Sequence, residues 1–483
     1  MEANSEEGDH AHSISIDVAS AAERLSHLDD DGRPRRTGTL STVTAHIITA
    51  VIGSGVLSLA WAMAQLGWIA GPIVMILFAL VAFYTSMLLA YCYRTGDPAT
   101  GKRNYTYMEA VKSNLGVRYV KFCGFCQYLD LWGIGVGYTI AASISMMAIK
   151  RANCYHNSNG KDGCKMNANY YMIGFGVSEI IFSQIEGFAE LWWLSIVAAI
   201  MSFTYSIIGL GLGIAKTIEN GTIKGTLAGV QAGNGLSHEK KLWRSFQALG
   251  NVAFAYSYSL VLIEIQDTIK SPPAEYKTMK KATLISVSVS SAFYLMCGLF
   301  GYSAFGNSSP GNLLTGFGFY EPYWLLNIAN GAIVIHLVGA YQVFYQPLYS
   351  LFEKMAADRF PDCIFIRKEY RFKVPVVGVC KVMPFRLVLR TTIVVFSTVV
   401  SLLVPFFNDI VGLIGAVGFW PITVFFPVEM YMRQTGIGAW SMSWIWLKTL
   451  SASCLIVSLM AAGGSVVGIV DGIKGAKPFN FVY

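Results

Sequence analysis

Two groups of small or polar residues interrupt otherwise apolar segments of the chain. The first is Gly53-Ser54-Gly55, near the middle of the apolar segment 39–65. Glycine weakens a helix by about 1 kcal/mol relative to alanine, so the triplet predicts an unwound stretch. A helix that restarts near Gly55 would present free N–H groups, which favour a carboxylate. The triplet is equally compatible with a second interpretation, in which small residues only let helices pack closely.

The second group is a run of aromatic and hydroxyl residues within segment 243–266, which reads Phe254-Ala255-Tyr256-Ser257-Tyr258-Ser259. It contains no glycine or proline, so the residues themselves do not predict a break in the helix. Hydroxyl groups in such segments usually bond to the backbone of their own helix or of a neighbour. The clustering is nevertheless unusual beside the Leu- and Val-rich segments around it.

Ionisable residues inside apolar segments are costly to bury and are therefore functional candidates. Four of them are candidates for carrying a proton: His46, His336, Asp130 and Glu264. Histidine titrates near neutral pH, although each ring can instead be neutral and bonded to a backbone carbonyl. Asp130 should face a polar cavity or a partner, whereas Glu264 lies near a segment end and can reach the interface. Glu179 is a further carboxylate in segment 169–185.

Motifs of soluble enzymes and of ATP-driven pumps are absent from the chain. It contains no G-x-x-x-x-G-K-[ST], H-E-x-x-H or G-x-S-x-G, and no His/Cys set with zinc spacing. We therefore expect a protein that is not an enzyme and that holds neither a metal nor an organic cofactor. Transport by such a chain would be passive or driven by an ion gradient.

The elements that position these residues are predicted to be membrane-spanning helices. Of the 483 residues, 54% are hydrophobic and 13% are charged, about half the charge of a soluble protein. A spanning helix needs about 20 apolar residues, and the long unbroken runs favour helices over a β-barrel. We predict an all-α integral membrane protein of about eleven spans, near 39–65, 69–93, 119–149, 169–185, 189–215, 243–266, 282–304, 323–350, 386–406, 409–432 and 445–470.

The distribution of basic residues predicts the orientation of the chain. With the N-terminus in the cytosol, 24 of the 36 lysines and arginines lie in or beside inside segments and 11 in or beside outside ones, while Lys448 lies within the last span. An odd number of spans then places the C-terminus outside. Residues 1–36 are polar and are predicted to be a disordered cytosolic tail. Because the basic residues are spread over several loops, nucleic acid is excluded as a partner.

The outside loops contain two candidate modification sites. Cys154 and Cys164 lie in one outside loop, where the environment is oxidising, so a disulfide between them is plausible; two free thiols are the alternative. The loop 216–242 carries the sequon Asn220-Gly221-Thr222, so Asn220 is a candidate for glycosylation. The sequon at Asn104 lies inside and should remain unmodified.

Four stretches of the sequence resemble the plant amino acid permeases of the amino acid/auxin permease family. The longest is RTGTLSTVTAHIITAVIGSGVLSLAWAMAQLGWIAGP, from Arg36 to Pro72. The others are GKRNYTYMEAV, FAYSYSLVLIEIQDT and GFWPITVFFPVEMYM, which begin at Gly101, Phe254 and Gly418. The matches run from about Arg36 to Phe479, which is nearly the whole chain.

The resemblance implies a fold that periodicity alone does not supply, that of the amino acid–polyamine–organocation superfamily. Its members have two inverted five-helix repeats, with discontinuous first and sixth helices that meet at the substrate site. In this chain the repeats would be 37–215 and 243–432, joined by the extracellular loop 216–242. The segment 433–483 would hold an eleventh helix and a short extracellular C-terminus.

The resemblance also implies proton-coupled import of amino acids across the plasma membrane. The amides of Gly53, Ser54 and Gly55 would bind the substrate carboxylate, and the backbone around Phe254, Ala255, Tyr256 and Ser257 would accept from its ammonium group. Two departures from the family pattern, Asn251 in place of Asp and Asp130 in place of Asn, would change the charge near the cavity. An uncoupled facilitator or exchanger and a nutrient receptor of the same fold are the alternatives.

Overall fold

The computed structural model describes residues 29, 31–33, 35–159, 164, 166–184, 192–233, 236–318, 322–374 and 378–475. Most of these residues lie in helices. The helices are α1 (Leu40–Val51), α2 (Leu59–Tyr91), α3 (Tyr107–Leu115), α4 (Val117–Asn157), α5 (Ala168–Ser183), α6 (Trp192–Asn220), α7 (His238–Ala255), α8 (Leu262–Gln266), α9 (Glu275–Phe305), α10 (Tyr323–Arg359), α11 (Ile364–Arg367), α12 (Pro384–Leu403), α13 (Phe407–Gly418), α14 (Phe426–Thr435) and α15 (Met442–Gly475).

Shorter elements connect these helices. Tight 3-10 turns span Ser54–Ser58, Ser259–Val261, Gly306–Ser308 and Leu313–Phe317, and a π-helical segment, Phe419–Phe425, joins α13 to α14. Two antiparallel pairs of strands lie in the connecting segments: β1 (Arg94–Thr95) pairs with β2 (Lys102–Arg103), and β3 (Tyr370–Val374) pairs with β4 (Gly378–Val382).

Nine segments among the described residues are long and apolar enough to cross a membrane, which establishes an all-α membrane protein. The difference from the predicted total of about eleven spans lies in two places. One qualifying segment, Ser54–Tyr91, covers parts of two predicted spans, and Gly67, with φ of 84°, divides α2 where those spans meet. Helix α5 coincides with the predicted fourth span, but its 16 residues are too few to qualify.

The observed helices extend further than hydropathy alone predicts. Helix α4 continues to Asn157, and α7 begins at His238 rather than near residue 243. The reason at the start of α7 is local, because the Ser237 hydroxyl accepts a hydrogen bond from the amide of Lys240 and so caps a polar first turn. Of the predicted tail and C-terminus, residues 1–28, 30, 34 and 476–483 lie outside the described residues.

Glycines bring α7, α13 and α15 into contact along their backbones. A Cβ atom on Gly250 of α7 would lie 2.3 Å from the carbonyl oxygen of Gly412 on α13, and one on Gly415 would lie 2.1 Å from the oxygen of Gly250. On α15, a Cβ atom on Gly464 would lie 2.5 Å from the oxygen of Trp243. Small residues at each contact therefore permit a three-helix interface in which the backbones themselves touch.

Replacing Gly250 with alanine should destabilise the protein. The added methyl group overlaps backbone atoms, which cannot rotate away as a flexible side chain can, so we expect a loss of about 1–3 kcal/mol. The thermal stability of detergent-solubilised protein measures the effect. Gly211→Ala is the matched control, because a Cβ atom at Gly211 of α6 meets nothing within 4 Å. Equal melting temperatures for the two variants would contradict the close contact.

Candidate functional site

The chain leaves the helical conformation in the middle of the first apolar segment, where the glycine triplet predicts it. The amide of Ile52 still donates to the oxygen of Ile48 at 2.8 Å, but Gly53 is extended, with φ of −131° and ψ of −153°. A 3-10 turn then begins at Ser54. The N–H groups at the start of a helical turn have no partner within the turn, so those of Ser54 and Gly55 are available to a ligand.

A second interruption lies in the aromatic and hydroxyl run, where the resemblance but not the residues implied it. Helix α7 ends at Ala255, and Tyr256, Ser257 and Tyr258 are not helical. The Ser257 hydroxyl donates to the oxygen of Ala253 at 2.8 Å, so it serves the end of its own helix. The chain becomes helical again from Ser259.

The two interruptions are in direct contact. A Cβ atom on Gly55 would lie 2.9 Å from Cα of Ala255, so any residue larger than glycine would force the two segments apart. Ser54 and Gly55 are both buried. The start of one helical turn and the carbonyl end of another helix therefore face each other inside the protein. Such an arrangement suits a small molecule that carries both a negative and a positive group.

Tyr294 of α9 links the two interruptions, and sequence reasoning missed it. Its hydroxyl donates to the oxygen of Val51, at the end of α1, and lies 3.3 Å from the oxygen of Ala255, at the end of α7. The Ser202 hydroxyl of α6 donates to the oxygen of Ile52. A tyrosine within an apolar helix gives no local signal of this role, because its partners are distant in the sequence.

His336 is the predicted proton candidate that the structure brings to the first interruption. The ring is 5% exposed, and Nδ1 lies 2.8 Å from the oxygen of Ala198. Because a carbonyl only accepts, Nδ1 carries the hydrogen, and Nε2 of a neutral ring is an acceptor. Nε2 has no hydrogen-bond partner among the described residues, and it lies 3.9 Å from the position of a Cβ atom on Gly53.

The other three proton candidates lie elsewhere. His46 is exposed on α1, whose buried positions are Val43, Ile47 and Val51. Asp130 is 6% exposed and lies against the end of α13, where a Cβ atom on Gly418 would lie 2.5 Å from its carboxylate. The exposed carboxylate of Glu264 accepts from the amide of Tyr107 at 3.3 Å. Asn251, the departure noted above, is fully buried on α7.

Ion pairs tie the segment before α1 to the bundle on the side predicted to be cytosolic. Arg36 contacts the carboxylates of Asp29 at 2.5 Å and of Glu275 at 2.8 Å. Glu275, which is fully buried, also accepts from Arg94 at 2.6 and 3.0 Å. We call Asp29, Arg36, Arg94 and Glu275 the inner latch. Burial would lower the pKa of Arg36, but its bonds to Asp29 and Glu275 raise that pKa above its usual value, so the guanidinium stays charged.

Backbone hydrogen bonds reinforce the inner latch. The amide of Gly38 donates to the oxygen of Thr268 at 2.9 Å, and the amide of Lys270 donates to the oxygen of Gly38 at 3.0 Å. These bonds join the entry of α1 to the chain just beyond α8. Together with the inner latch, these bonds link the end of the predicted disordered tail to the chain after the first interruption, at Arg94, and to the chain after the second, at Thr268 and Glu275.

The opposite side of the bundle contains a cavity of about 480 Å³. It is lined by the outer part of α4, the segment 311–318 and the start of α13.

The two candidate modification sites lie on the same side. The structure joins Cys154 to Cys164 in a disulfide, with Cα atoms 6.1 Å apart. Asn220 ends α6, and its side-chain amide donates to the oxygen of Ala304 at 2.9 Å, so glycosylation there would have to displace that bond.

Comparisons with known proteins agree with this architecture. Residues 36–471 match the family model described as transmembrane amino acid transporter protein. The chain is 61% identical to amino acid permease 3 of Arabidopsis thaliana, over 95% of this chain and 96% of the relative. It is 62% identical to amino acid permease 4 of the same plant, over 94% of this chain and 98% of the relative.

The fold is also similar to that of a solved transporter structure. The crystal structure of MhsT in complex with L-phenylalanine superposes with a TM-score of 0.52, covering 90% of this chain and all of that one. The two sequences are 10% identical, so this similarity shows the fold alone. The match over residues 36–471, together with relatives more than 60% identical over nearly the whole chain, shows that the protein belongs to the transmembrane amino acid transporter family.

Proposed function

We propose that the protein is a proton-coupled symporter that imports amino acids across the plasma membrane. The observation that carries this proposal is the contact between Gly55 and Ala255, which places two helix interruptions of opposite polarity against each other. An amino acid carries a carboxylate and an ammonium group a few ångströms apart, which matches this pair of backbone sites. Family membership supports the same substrate class.

The carboxylate would bind the amides of Ser54 and Gly55, where the turn begins and its dipole favours negative charge. The ammonium group would bind the carbonyl oxygens at the end of α7, around Phe254, Ala255 and Tyr256. Carbonyl oxygens have two lone pairs, so that of Ala255 can accept from Tyr294 and from the substrate together. The Ser257 hydroxyl contributes less, because it is already bonded to Ala253.

One of the four titratable candidates, His46, His336, Asp130 or Glu264, would carry the coupled proton. The geometry favours His336, since its free Nε2 faces the first interruption whereas His46 is exposed on α1. Each pH unit across the membrane supplies about 1.4 kcal/mol per proton, and 100 mV adds about 2.3 kcal/mol. One proton per substrate therefore supports substantial accumulation.

Substrate release to the cytosol requires the inner side to open. The inner latch, which ties the segment before α1 to Glu275 of α9, would keep that side closed. The cytosolic opening would then proceed by separation of Arg36 from Glu275 and of Gly38 from Thr268. Because a buried charged pair is costly to break, substrate and proton binding would have to offset that cost.

Amino acid addition should evoke an inward current in voltage-clamped oocytes that express the protein, and the current should grow as the outside pH falls from neutral to acidic. An uncoupled facilitator or exchanger would give no pH-dependent current with a neutral amino acid, and a receptor would give no uptake of labelled substrate. A panel of labelled amino acids in transport-deficient yeast defines the substrates in parallel.

His336→Gln should remove most of the pH dependence of this current, because glutamine can still donate to Ala198 but cannot take up a proton. His46→Gln is the comparison variant. We expect it to keep the pH dependence, since the ring is exposed. If His46→Gln flattens the profile and His336→Gln does not, the coupled proton is carried on α1 and the assignment to His336 is wrong.

Glu275→Gln should weaken the inner latch by removing the carboxylate shared by Arg36 and Arg94. Loss of a hydrogen bond to a charged group costs about 1.5–3 kcal/mol, so the opening equilibrium should shift roughly ten- to hundredfold. Hydrogen–deuterium exchange at the amides of Gly38 and Lys270 reports the opening directly. Glu219→Gln, which removes an exposed pair with Lys216, should leave that exchange unchanged. Unchanged exchange in Glu275→Gln would show that the latch does not hold the inner side closed.

A further inference from the structure

A buried acid–amide contact joins α5 to α10. Glu179 on α5 and Gln342 on α10 are both 0% exposed. The Gln342 side-chain amide donates to Oε2 of Glu179 at 2.6 Å and lies 3.2 Å from the backbone oxygen of Glu179. One oxygen of the carboxyl group is thus bonded to the facing carboxamide.

The remaining oxygen atoms of this contact have no partner. Oε1 of Glu179 and Oε1 of Gln342 are both buried without a hydrogen-bond partner among the described residues. Both are acceptors if Glu179 is ionised, so neither can satisfy the other. A proton on the carboxyl group changes this, because the acid then donates to the carboxamide oxygen while the amide donates back. If the carboxamide is rotated by half a turn, its nitrogen and oxygen exchange places and its oxygen faces Oε2 of Glu179. Both of these oxygens are acceptors, so a proton on the carboxyl group is still required.

The surroundings contain no cation that neutralises Glu179 among the described residues. From α10 the tyrosines 341, 345 and 349 face it. From α12, Arg390 donates instead to the backbone oxygen of Ser183 at 2.6 Å and pairs with Glu353 at 2.8 Å. In the described part of α4, no titratable group interacts with the Glu179 carboxyl group. An ionised carboxylate here would be a buried charge without a counter-ion, which proteins avoid.

We propose that Glu179 is a proton-binding site: its carboxyl group is neutral in this conformation and forms a two-hydrogen-bond acid–amide pair with Gln342 that holds α5 against α10. The proposal does not depend on what the protein transports or on how transport is coupled. It adds a fifth titratable residue to the four that the sequence singles out, and it assigns a role to Gln342.

The proposal makes the stability of the protein pH-dependent in a defined direction. The folded protein holds a proton on Glu179 that the unfolded chain releases at neutral pH, so folding takes up a proton. Stability therefore falls as the pH rises, until Glu179 ionises in the folded protein as well. Glutamine at this position mimics the neutral acid and removes the dependence.

Infrared spectroscopy and thermal unfolding of the full chain without substrate test the proposal. Wild-type protein at neutral pH should show the carbonyl band of a buried protonated carboxyl group, and Glu179→Gln should lack it. Between neutral and alkaline pH, the melting temperature of the wild type should fall relative to that of Glu179→Gln. Identical infrared spectra, or parallel melting curves across that range, would overturn the assignment.

Exchanging the two residues provides a second and independent check. The double variant Glu179→Gln with Gln342→Glu rebuilds an acid–amide pair with its two halves reversed. We expect it to regain both the carboxyl band and the fall in stability at alkaline pH, even if either single variant folds poorly. A double variant that folds but lacks the protonated band would show that the site does not hold a proton.

Discussion

The Tyr294 hydroxyl satisfies a constraint on which the whole site depends. A helix interrupted within a membrane leaves carbonyl and amide groups without partners, and each such group is expensive in an apolar medium. Tyr294 donates to the carbonyl at the end of α1 and lies beside the one at the end of α7. One side chain on α9 thereby supports both interruptions. A phenol has a single hydrogen to donate, so the second carbonyl keeps capacity for a cationic group of the substrate.

Two sets of contacts in the bundle differ in how easily they can break: the glycine interface of α7, α13 and α15, and the inner latch. Helices α7, α13 and α15 touch through glycines at backbone distance, and such a contact has no soft side chains that can adjust. The inner latch is built differently, from a few charged pairs, and two backbone hydrogen bonds at Gly38 reinforce it. Discrete polar contacts can break and re-form as a unit. The contacts that can separate, those of the inner latch, therefore lie on one side of the two interruptions. The contacts that cannot adjust, those between α7, α13 and α15, lie beside the interruptions.

Sequence reasoning reached the helical membrane fold and the first interruption because both have local causes. Long apolar runs predict spans, and Gly53 and Gly55 predict the place where α1 ends. The second interruption has no such cause at Tyr256. It depends on tertiary contacts, because Gly55 packs against Ala255 and the Tyr294 hydroxyl lies beside the Ala255 carbonyl. For that reason only the family resemblance indicated it. His46 was one of four candidates because of its place in the sequence, yet the buried face of α1 passes through Ile47, and His46 lies outside that face. Glu179 was visible as an intramembrane acid, but its partner Gln342 was not.

We propose that the two interruptions form one substrate site supported by Tyr294. The most direct test is binding of a labelled amino acid to purified Tyr294→Phe, which keeps the buried ring and removes only the hydroxyl. Without the hydroxyl, the carbonyl of Val51 is left unpaired at a cost of about 1–3 kcal/mol. We expect the two interruptions to shift away from the binding geometry in order to relieve this cost, so affinity should fall roughly ten- to hundredfold. Tyr258 is a buried tyrosine of the second interruption whose hydroxyl accepts a hydrogen bond from the Ser86 side chain, and Tyr258→Phe should bind like the wild type. Wild-type affinity in Tyr294→Phe would contradict the claim.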